Sequence, residues 1–185
     1  LFLGIVNENY SITYINGVIS VDTPEVSLSE LTNIINEEWY SWLPPKAQWH
    51  EVNSEILLKN ICEAIIKVLV VIEKYGPFDI GYGFSQGGYI IDLINNLPND
   101  PILLEAVKSH LGRELSFDIS TQLPFKNLIY ACVGSTLSIS ELRRLAGLSK
   151  RKDDFKTQSI IYLIGKHDVQ KSYSENFVLE NSSII

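Results

Sequence analysis

The stretch Gly83-Phe84-Ser85-Gln86-Gly87-Gly88 lies between two segments of different hydrophobic pattern. Before it, Phe78 to Tyr82 is a short apolar run that follows the helix breaker Tyr75-Gly76-Pro77 and predicts a buried β-strand. After it, Gly87 to Asn95 has the apolar spacing of a helix. A strand, a glycine-rich turn and a helix therefore follow one another, and this order decides that the chain has an α/β fold.

The rest of the chain repeats the alternation of helices and strands. From Ser54, the predicted N-cap, to Tyr75, apolar residues recur at helical spacing and predict a long helix. Such alternation is typical of a mostly parallel sheet with helices on both faces. The other predicted elements are helices after Asp100, after Ser138 and from Ser172 onward, and strands at Asn127 to Val133 and Ser159 to Ile164.

The turn around Ser85 has the residue spacing of a nucleophile elbow. In such a turn the serine is strained, and glycines two residues before and after it, here Gly83 and Gly87, avoid side-chain clashes. The first N–H groups of the following helix point toward the serine oxygen, where the backbone N–H of Gln86 can stabilise an oxyanion. The spacing predicts Ser85 as a nucleophile. A glycine-rich turn without a catalytic role remains the alternative.

The elbow and its surroundings give the chain a family resemblance. Tyr75-Gly76-Pro77-Phe78-Asp79 followed by Gly83-Phe84-Ser85-Gln86-Gly87 resembles the "family of serine hydrolases" branch of the α/β-hydrolases. That family has a tryptophan-containing segment and a long helix before the elbow, as Trp39 to Trp42 and Ser54 to Tyr75 provide here. The resemblance implies an α/β-hydrolase fold and a serine hydrolase. Acyl-protein thioesterases and carboxylesterases share the Gly-Phe-Ser-Gln-Gly-Gly sequence, so the elbow alone does not distinguish the branches.

The same family carries Gly-x-x-Asp after a late strand, which Gly165-Lys166-His167-Asp168 matches. The resemblance implies that Asp168 is the triad acid, which orients a histidine and stabilises its charged form while the histidine takes the Ser85 proton. Asp168 follows the predicted strand Ser159 to Ile164, and sites in such sheets collect at this end of the strands. The alternative is an aspartate that caps a turn.

The triad histidine is not identified in the sequence. In the chain order serine, acid, histidine it follows the acid, whereas the chain contains only His50, His110 and His167. His167 adjoins the acid, so both side chains can hardly adopt the triad geometry. His110 is predicted on a helix surface, and His50 lies in an irregular aromatic segment. We therefore expect the triad histidine to lie outside these residues.

We also expect residues to be missing near positions 4–10 and after residue 185. Leu1 to Leu3 and Ile12 to Ile19 are predicted strands, but Gly4 to Ser11 is shorter than the crossover of about a dozen residues that parallel neighbours need. Either the two strands are not neighbours or a helix is absent, and the complete lack of Met favours the second explanation. Residues 1–185 are otherwise expected to form a single α/β-hydrolase domain.

A second oxyanion donor is not assigned. In the family that the chain resembles, a His-Gly loop after the first strand supplies this N–H. Here Leu1-Phe2-Leu3 runs directly into Gly4, without the histidine.

The segment Asp22 to Pro45 is rich in turn residues and predicts a loop or cap. It and the residues after it hold an aromatic cluster of Trp39, Tyr40, Trp42 and Trp49. These side chains either pack on the core or line an acyl pocket. Both interpretations stay open.

Composition excludes several classes of partner. The net charge of −7 gives no basic surface for nucleic acid or anionic membranes. The longest apolar run, Ile65 to Ile72, is far shorter than the roughly 20 residues of a membrane span. Cys62 and Cys132 lack metal-binding spacing and are interpreted as buried reduced thiols, which favours a cytoplasmic protein. We expect no metal and no cofactor.

The sequence thus predicts a serine hydrolase that cleaves a small carboxylic ester or thioester through an acyl-Ser85 intermediate. One alternative, suggested by the unidentified histidine, is a catalytically inactive hydrolase fold that serves as a binding module. Another is an acyl-protein thioesterase. The acyl group, the leaving group and the oligomeric state are not determined by the sequence.

Overall fold

The computed structural model describes residues 11–21, 39–44, 53–121, 124–133, 138–149, 159–168 and 170–182. Within them, five helices alternate with the later strands, as the sequence predicted. In chain order the elements are β1 (Ile19–Val21), β2 (Trp39–Ser41), α1 (Ser54–Tyr75), β3 (Phe78–Phe84), α2 (Gln86–Asn95), a 3₁₀ turn (Leu97–Asn99), α3 (Pro101–Leu111), β4 (Phe125–Ala131), α4 (Ile139–Leu145), β5 (Ser159–Leu163) and α5 (Lys171–Ser182).

The main sheet has three parallel strands in the order β3-β4-β5. Phe84 is paired with Ala131, and Ala131 with Leu163, so the three strands end at the same level. Each strand is reached through a helical connection, as parallel neighbours require. The predicted α/β fold is therefore confirmed, and the ends of the strands form one edge where side chains from distant parts of the sequence can meet.

The described helices that contact the sheet lie on one of its faces. Helix α2 packs on β3, and Phe177 of α5 contacts the rings of Tyr130 and Tyr162 on β4 and β5. On the opposite face, among the described residues, Phe84 is 60% exposed and Ile161 52% exposed. The core of the described part of the chain therefore lies between the sheet and this single layer of helices.

Helix α1 forms because one stripe of its residues is apolar. Its N-cap is Asn53, not the predicted Ser54, and the Asn53 side chain accepts a hydrogen bond from Glu55 N–H at 2.9 Å. Packing of the apolar stripe on the core supplies most of such a helix's stability. The buried residues of α1 are Leu57, Ile61, Cys62, Ala64, Ile65, Val68, Leu69 and Ile72.

The caps predicted for two later helices are confirmed. The Asp100 side chain accepts a hydrogen bond from Leu103 N–H at the start of α3, and Ser138 accepts one from Glu141 N–H at the start of α4. Asp100 is also buried in an ion pair with Arg143 of α4. Removing one partner would leave a buried charge uncompensated. The pair therefore links α4 to the start of α3.

The prediction of a strand over Ile12 to Ile19 is wrong in its boundaries. The strand comprises only Ile19–Val21, and it pairs with Trp39–Ser41 in a separate antiparallel ribbon. The side chains from Ser11 to Tyr14 are exposed, and no strand of the described part of the chain packs against them. Leu1 to Leu3 and positions 4–10 lie outside the described residues, and the expectation of missing residues there stays a prediction.

Candidate active site

Ser85 lies where β3 ends and α2 begins, in a backbone conformation that is unusual for serine. Its φ is +50° and its ψ is −123°. Positive φ is uncommon for residues with a Cβ, and such strain costs about 1–3 kcal/mol. The surrounding backbone holds it in place: Ser85 N–H donates to Ala131 O at 3.1 Å, and Gly88 N–H donates to Ser85 O at 3.0 Å.

The Ser85 hydroxyl does not cap its own helix. Serine is a favoured N-cap residue because its oxygen accepts a hydrogen bond from the first turn. Ser85 occupies the N-cap position of α2 and makes no side-chain cap hydrogen bond. The strained backbone directs the side chain away from that role, and the oxygen is left for other contacts.

Gly83 and Gly88 are the two positions of the elbow at which a side chain would clash with its surroundings. A Cβ on Gly83 would lie 2.5 Å from the Gly88 Cα, and a Cβ on Gly88 would lie 2.1 Å from a methyl of Val133. A Cβ on Gly87 would come no closer than 3.4 Å to the Trp42 indole nitrogen. A side chain at Gly83 would therefore clash with backbone atoms. A Cβ on Gly87 would make a nearly ordinary van der Waals contact, whereas a Cβ on Gly88 would clash.

Gln86 is the first residue of α2, where backbone N–H groups have no acceptor within the helix. Its side chain reaches the segment 41–43. The Gln86 Oε1 atom accepts hydrogen bonds from Ser41 Oγ at 2.8 Å, from Trp42 N–H at 3.2 Å and from Leu43 N–H at 3.3 Å. Sequence reasoning missed Ser41, because nothing in its local sequence indicates a contact with the elbow.

The predicted aromatic cluster is only partly described. Trp42 is half-buried, packs against the core and lies beside Gly87. Trp39 and Tyr40 belong to strand β2, and Trp49 lies outside the described residues. For Trp42 the two predicted roles are compatible, because one indole both contacts the core and borders the elbow.

Cys132 follows β4 at the level of Ser85. Its φ is +48°, and its N–H donates to Leu163 O at 2.8 Å, which continues the ladder to β5. Its thiol lies near the Asp168 carboxylate and Gly165 N–H. Burial, followed by the neighbouring Asp168 carboxylate, raises the pKa of the Cys132 thiol, while the Gly165 N–H partly offsets the rise. The prediction that Cys132 is buried is wrong, because the residue is only half-buried.

Asp168 lies in the turn after β5, half-buried at the same edge of the sheet. Its N–H donates to Gly165 O at 3.2 Å, and its Oδ1 atom accepts a hydrogen bond from Gln170 N–H at 2.8 Å. Among the described residues, its carboxylate contacts are this N–H and the Cys132 thiol. The strand ends therefore bring Ser85, Cys132 and Asp168 to one edge.

None of the described histidines contacts Asp168. His110 Nδ1 lies 2.8 Å from Ala106 O on its own helix, and its side chain is exposed, as predicted. His167 is exposed in the turn before Asp168. His50 lies outside the described residues. The expectation of a triad histidine beyond residue 185 stays a prediction.

Within the described ranges, no group of three or more His, Cys, Asp or Glu side chains is arranged to hold a metal ion. None of the described helices has both the length and the apolar character needed to cross a membrane.

The chain matches the family described as "Serine hydrolase (FSH1)" over residues 4–179. The match extends over most of the chain and includes the elbow and Asp168. Comparison with curated proteins and comparison with solved structures gave no match. The chain therefore belongs to the serine hydrolase (FSH1) family.

Proposed function

We propose that this hydrolase cleaves a small carboxylic ester or thioester through an acyl intermediate on Ser85. The observation that carries the proposal is the backbone of Ser85, which has a φ of +50° at the junction of strand β3 and helix α2 while its hydroxyl makes no cap hydrogen bond. Strain of this kind clusters at active sites, where the surrounding structure maintains it.

In the proposed reaction, Ser85 Oγ attacks the carbonyl carbon of the substrate while a general base removes the hydroxyl proton. The carbonyl oxygen takes the electron pair and becomes the oxyanion of a tetrahedral intermediate. The intermediate collapses to acyl-Ser85, and the alcohol or thiol leaves with the proton. Water, activated by the same base, then attacks the acyl-enzyme, releases the acid and restores the hydroxyl.

The oxyanion is stabilised by the start of α2. The backbone N–H of Gln86 is the proposed donor, because it is the first N–H of the helix and directly follows the nucleophile. The partial positive charge of the helix N-terminus acts in the same direction. A second donor remains unassigned.

Asp168 is the proposed triad acid. It lies at the same edge of the sheet as Ser85, and Gln170 N–H holds one of its carboxylate oxygens in place. In this role it accepts the N–H of a histidine and stabilises the imidazolium that forms during proton transfer. The proposal therefore requires a histidine to reach the space between Ser85 and Asp168.

Trp42 is the proposed wall of the acyl site. Its indole lies beside Gly87, two residues after the nucleophile, and it is held there by the contact between Gln86 and its backbone. A bulky ring close to the reacting atoms leaves room for a short acyl group. This is the basis for proposing small esters or thioesters as substrates.

A catalytically inactive binding module is the second candidate. The observation in its favour is that, among the described residues, the Asp168 carboxylate contacts the Cys132 thiol and Gln170 N–H, and no histidine. Such a protein would keep the fold and the strained serine but would not transfer acyl groups.

Labelling with a fluorophosphonate probe separates the two candidates. The probe phosphonylates activated serines, so the folded protein should be labelled at Ser85, as mapped by peptide mass spectrometry, and Ser85→Ala should not be labelled. A folded protein that stays unlabelled would contradict the hydrolase proposal and favour the binding module. Faster turnover of long-chain thioesters than of short esters would instead favour an acyl-protein thioesterase.

A further inference from the structure

We infer that the side chain of Gln86 is a positioning residue, which holds the segment Ser41–Leu43 against the elbow and so fixes the oxyanion N–H and the Trp42 wall together. This inference rests on the proposed function. It assigns to Gln86 a role in addition to that of its backbone, and it gives Ser41 a role that its position in a distant strand does not suggest.

The evidence is that one atom, Gln86 Oε1, accepts hydrogen bonds from three donors of the same short segment. Gln86 Oε1 accepts two backbone N–H groups from successive residues, Trp42 at 3.2 Å and Leu43 at 3.3 Å, and the Ser41 hydroxyl at 2.8 Å. The Ser41 hydroxyl also lies 2.6 Å from Leu43 O, so its single hydrogen is shared between two acceptors. The amide oxygen is thus the common acceptor for a short segment that has just left strand β2.

The consequence of losing this acceptor follows from the surroundings. Leu43 is fully buried, and the N–H groups of Trp42 and Leu43 would lose their acceptor in a partly buried place. A polar group left without a partner is costly. The segment would have to shift to recover its hydrogen bonds, and Trp42 would move away from Gly87 with it.

The effect on catalysis comes from the position of Gln86. Its backbone N–H and its side-chain amide belong to the same residue at the start of α2, so the three hydrogen bonds restrain the N–H that faces the oxyanion. Oxyanion donors act through precise placement, and the loss of one costs about 10²–10³ in rate. A donor that remains but is less well placed should lose part of this factor.

The test uses Gln86→Met, which keeps the length of the side chain and the backbone N–H but removes the acceptor. We expect the maximal rate of fluorophosphonate labelling at Ser85, and kcat for a short ester, to fall about tenfold or more. The concentration for half-maximal labelling and KM should change less than twofold to threefold. A purely structural role would lower the melting temperature without this split between the maximal rate and the half-saturation constant.

Ser41→Ala gives a milder form of the same test and serves if Gln86→Met does not fold. It removes one of three donors, and we expect a decrease of about twofold to fivefold in the maximal labelling rate. Ser109→Ala, an exposed serine on α3, is the matched control and should label like the wild type. Combined with Gln86→Met, Ser41→Ala should cause almost no additional loss, because the shared hydrogen bond is already gone.

The outcomes separate the inference from the proposed function. If the wild type and the Gln86→Met variant are labelled at the same maximal rate, the inference is overturned. The proposed function is not affected by that result. Additive effects of Gln86→Met and Ser41→Ala also overturn the inference. A folded wild type that is not labelled at all overturns both.

Discussion

Two neighbouring strands of this sheet are each followed by a residue with a positive φ, but the side chains of these two residues have different surroundings. Ser85 after β3 has a φ of +50°, and Cys132 after β4 has a φ of +48°. The Ser85 hydroxyl makes no cap hydrogen bond, whereas the Cys132 thiol lies near the Asp168 carboxylate. Because both residues have a positive φ, backbone geometry alone does not determine which of the two side chains is the nucleophile.

The difference lies in what surrounds each side chain. A thiol is intrinsically the better nucleophile, but only as the thiolate. Burial and the Asp168 carboxylate raise the pKa of Cys132, so the thiol stays protonated at neutral pH. Ser85 instead lies at the start of a helix, where the dipole favours developing negative charge. This contrast leads to four predictions.

The largest effect is expected when each side chain is removed in turn. Ser85→Ala should abolish fluorophosphonate labelling and reduce ester hydrolysis to background, because it deletes the group that forms the acyl intermediate. Cys132→Ala should retain labelling of Ser85. Circular dichroism establishes that both variants are folded. Loss of labelling in Cys132→Ala and its retention in Ser85→Ala would reverse the assignment.

Asp168→Asn should have the next largest effect on hydrolysis. An amide cannot stabilise an imidazolium as a carboxylate does, and in triads of this kind the loss is on the order of 10⁴ in kcat. The melting temperature should change little by comparison, since the carboxylate is only half-buried. Steady-state kinetics with a short ester measures the loss, and a decrease of less than tenfold would argue that Asp168 only caps its turn.

The strained end of β3 should also be sensitive to added volume. In Gly83→Ala the new methyl would meet the backbone of Gly88, which a change of rotamer cannot relieve. We expect a loss of unfolding free energy of roughly 1–3 kcal/mol or more, measured by urea denaturation. Gly87→Ala is the matched control and should lose less, since its methyl would reach only the edge of Trp42. Equal losses would contradict the packing described here.

The smallest effect is a shift in the pH dependence of Cys132 alkylation. Because burial raises the thiol pKa, the rate of iodoacetamide modification should reach half its maximum at a higher pH than for an ordinary cysteine. Asp168→Asn removes one of the causes of the raised thiol pKa and should move the rate profile to lower pH. Burial, the larger cause, is unchanged, so the thiol pKa should stay partly raised. An unchanged or upward-shifted profile would show that the carboxylate does not act on this thiol.

The second cysteine provides an internal control for that experiment. Cys62 is fully buried in α1, and burial followed by Glu63 raises the pKa of its thiol to about 11. It should stay unmodified in the folded protein and react only after unfolding. Peptide mass spectrometry distinguishes the two sites.

Much of the fold could be predicted because its determinants are local. The apolar stripe of Ser54 to Tyr75, the caps at Asp100 and Ser138, and the apolar strands around Tyr82 and Tyr130 each depend on residues a few positions apart. Boundaries were less certain. Asn53 and Ser54 are both good N-caps, and their side chains differ only in which one reaches a free N–H in the folded helix.

The ribbon of β1 and β2 could not be predicted in the same way. Residues Ile12 to Ile19 have strong β-propensity, but a strand is stabilised by a neighbour with which it can pair. That neighbour is Trp39–Ser41, which lies beyond a long connection and was predicted as part of a loop. Propensity identified a β-forming segment and could not identify its partner or its limits.

The sequence by itself determined the strand, turn and helix around Ser85, because glycine spacing and hydrophobic period act over a few residues. Only the tertiary structure decided that Gly88 rather than Gly87 is the tightest glycine, that the Cys132 thiol lies on Asp168, and that Gln86 holds Ser41, which is 45 positions away. The proximity of Cys132 and Asp168 arises where parallel strands end at one edge of a sheet, whereas Ser41 comes from the separate antiparallel ribbon. The order of strands in that sheet, and not the spacing of residues in the chain, determines which side chains meet there.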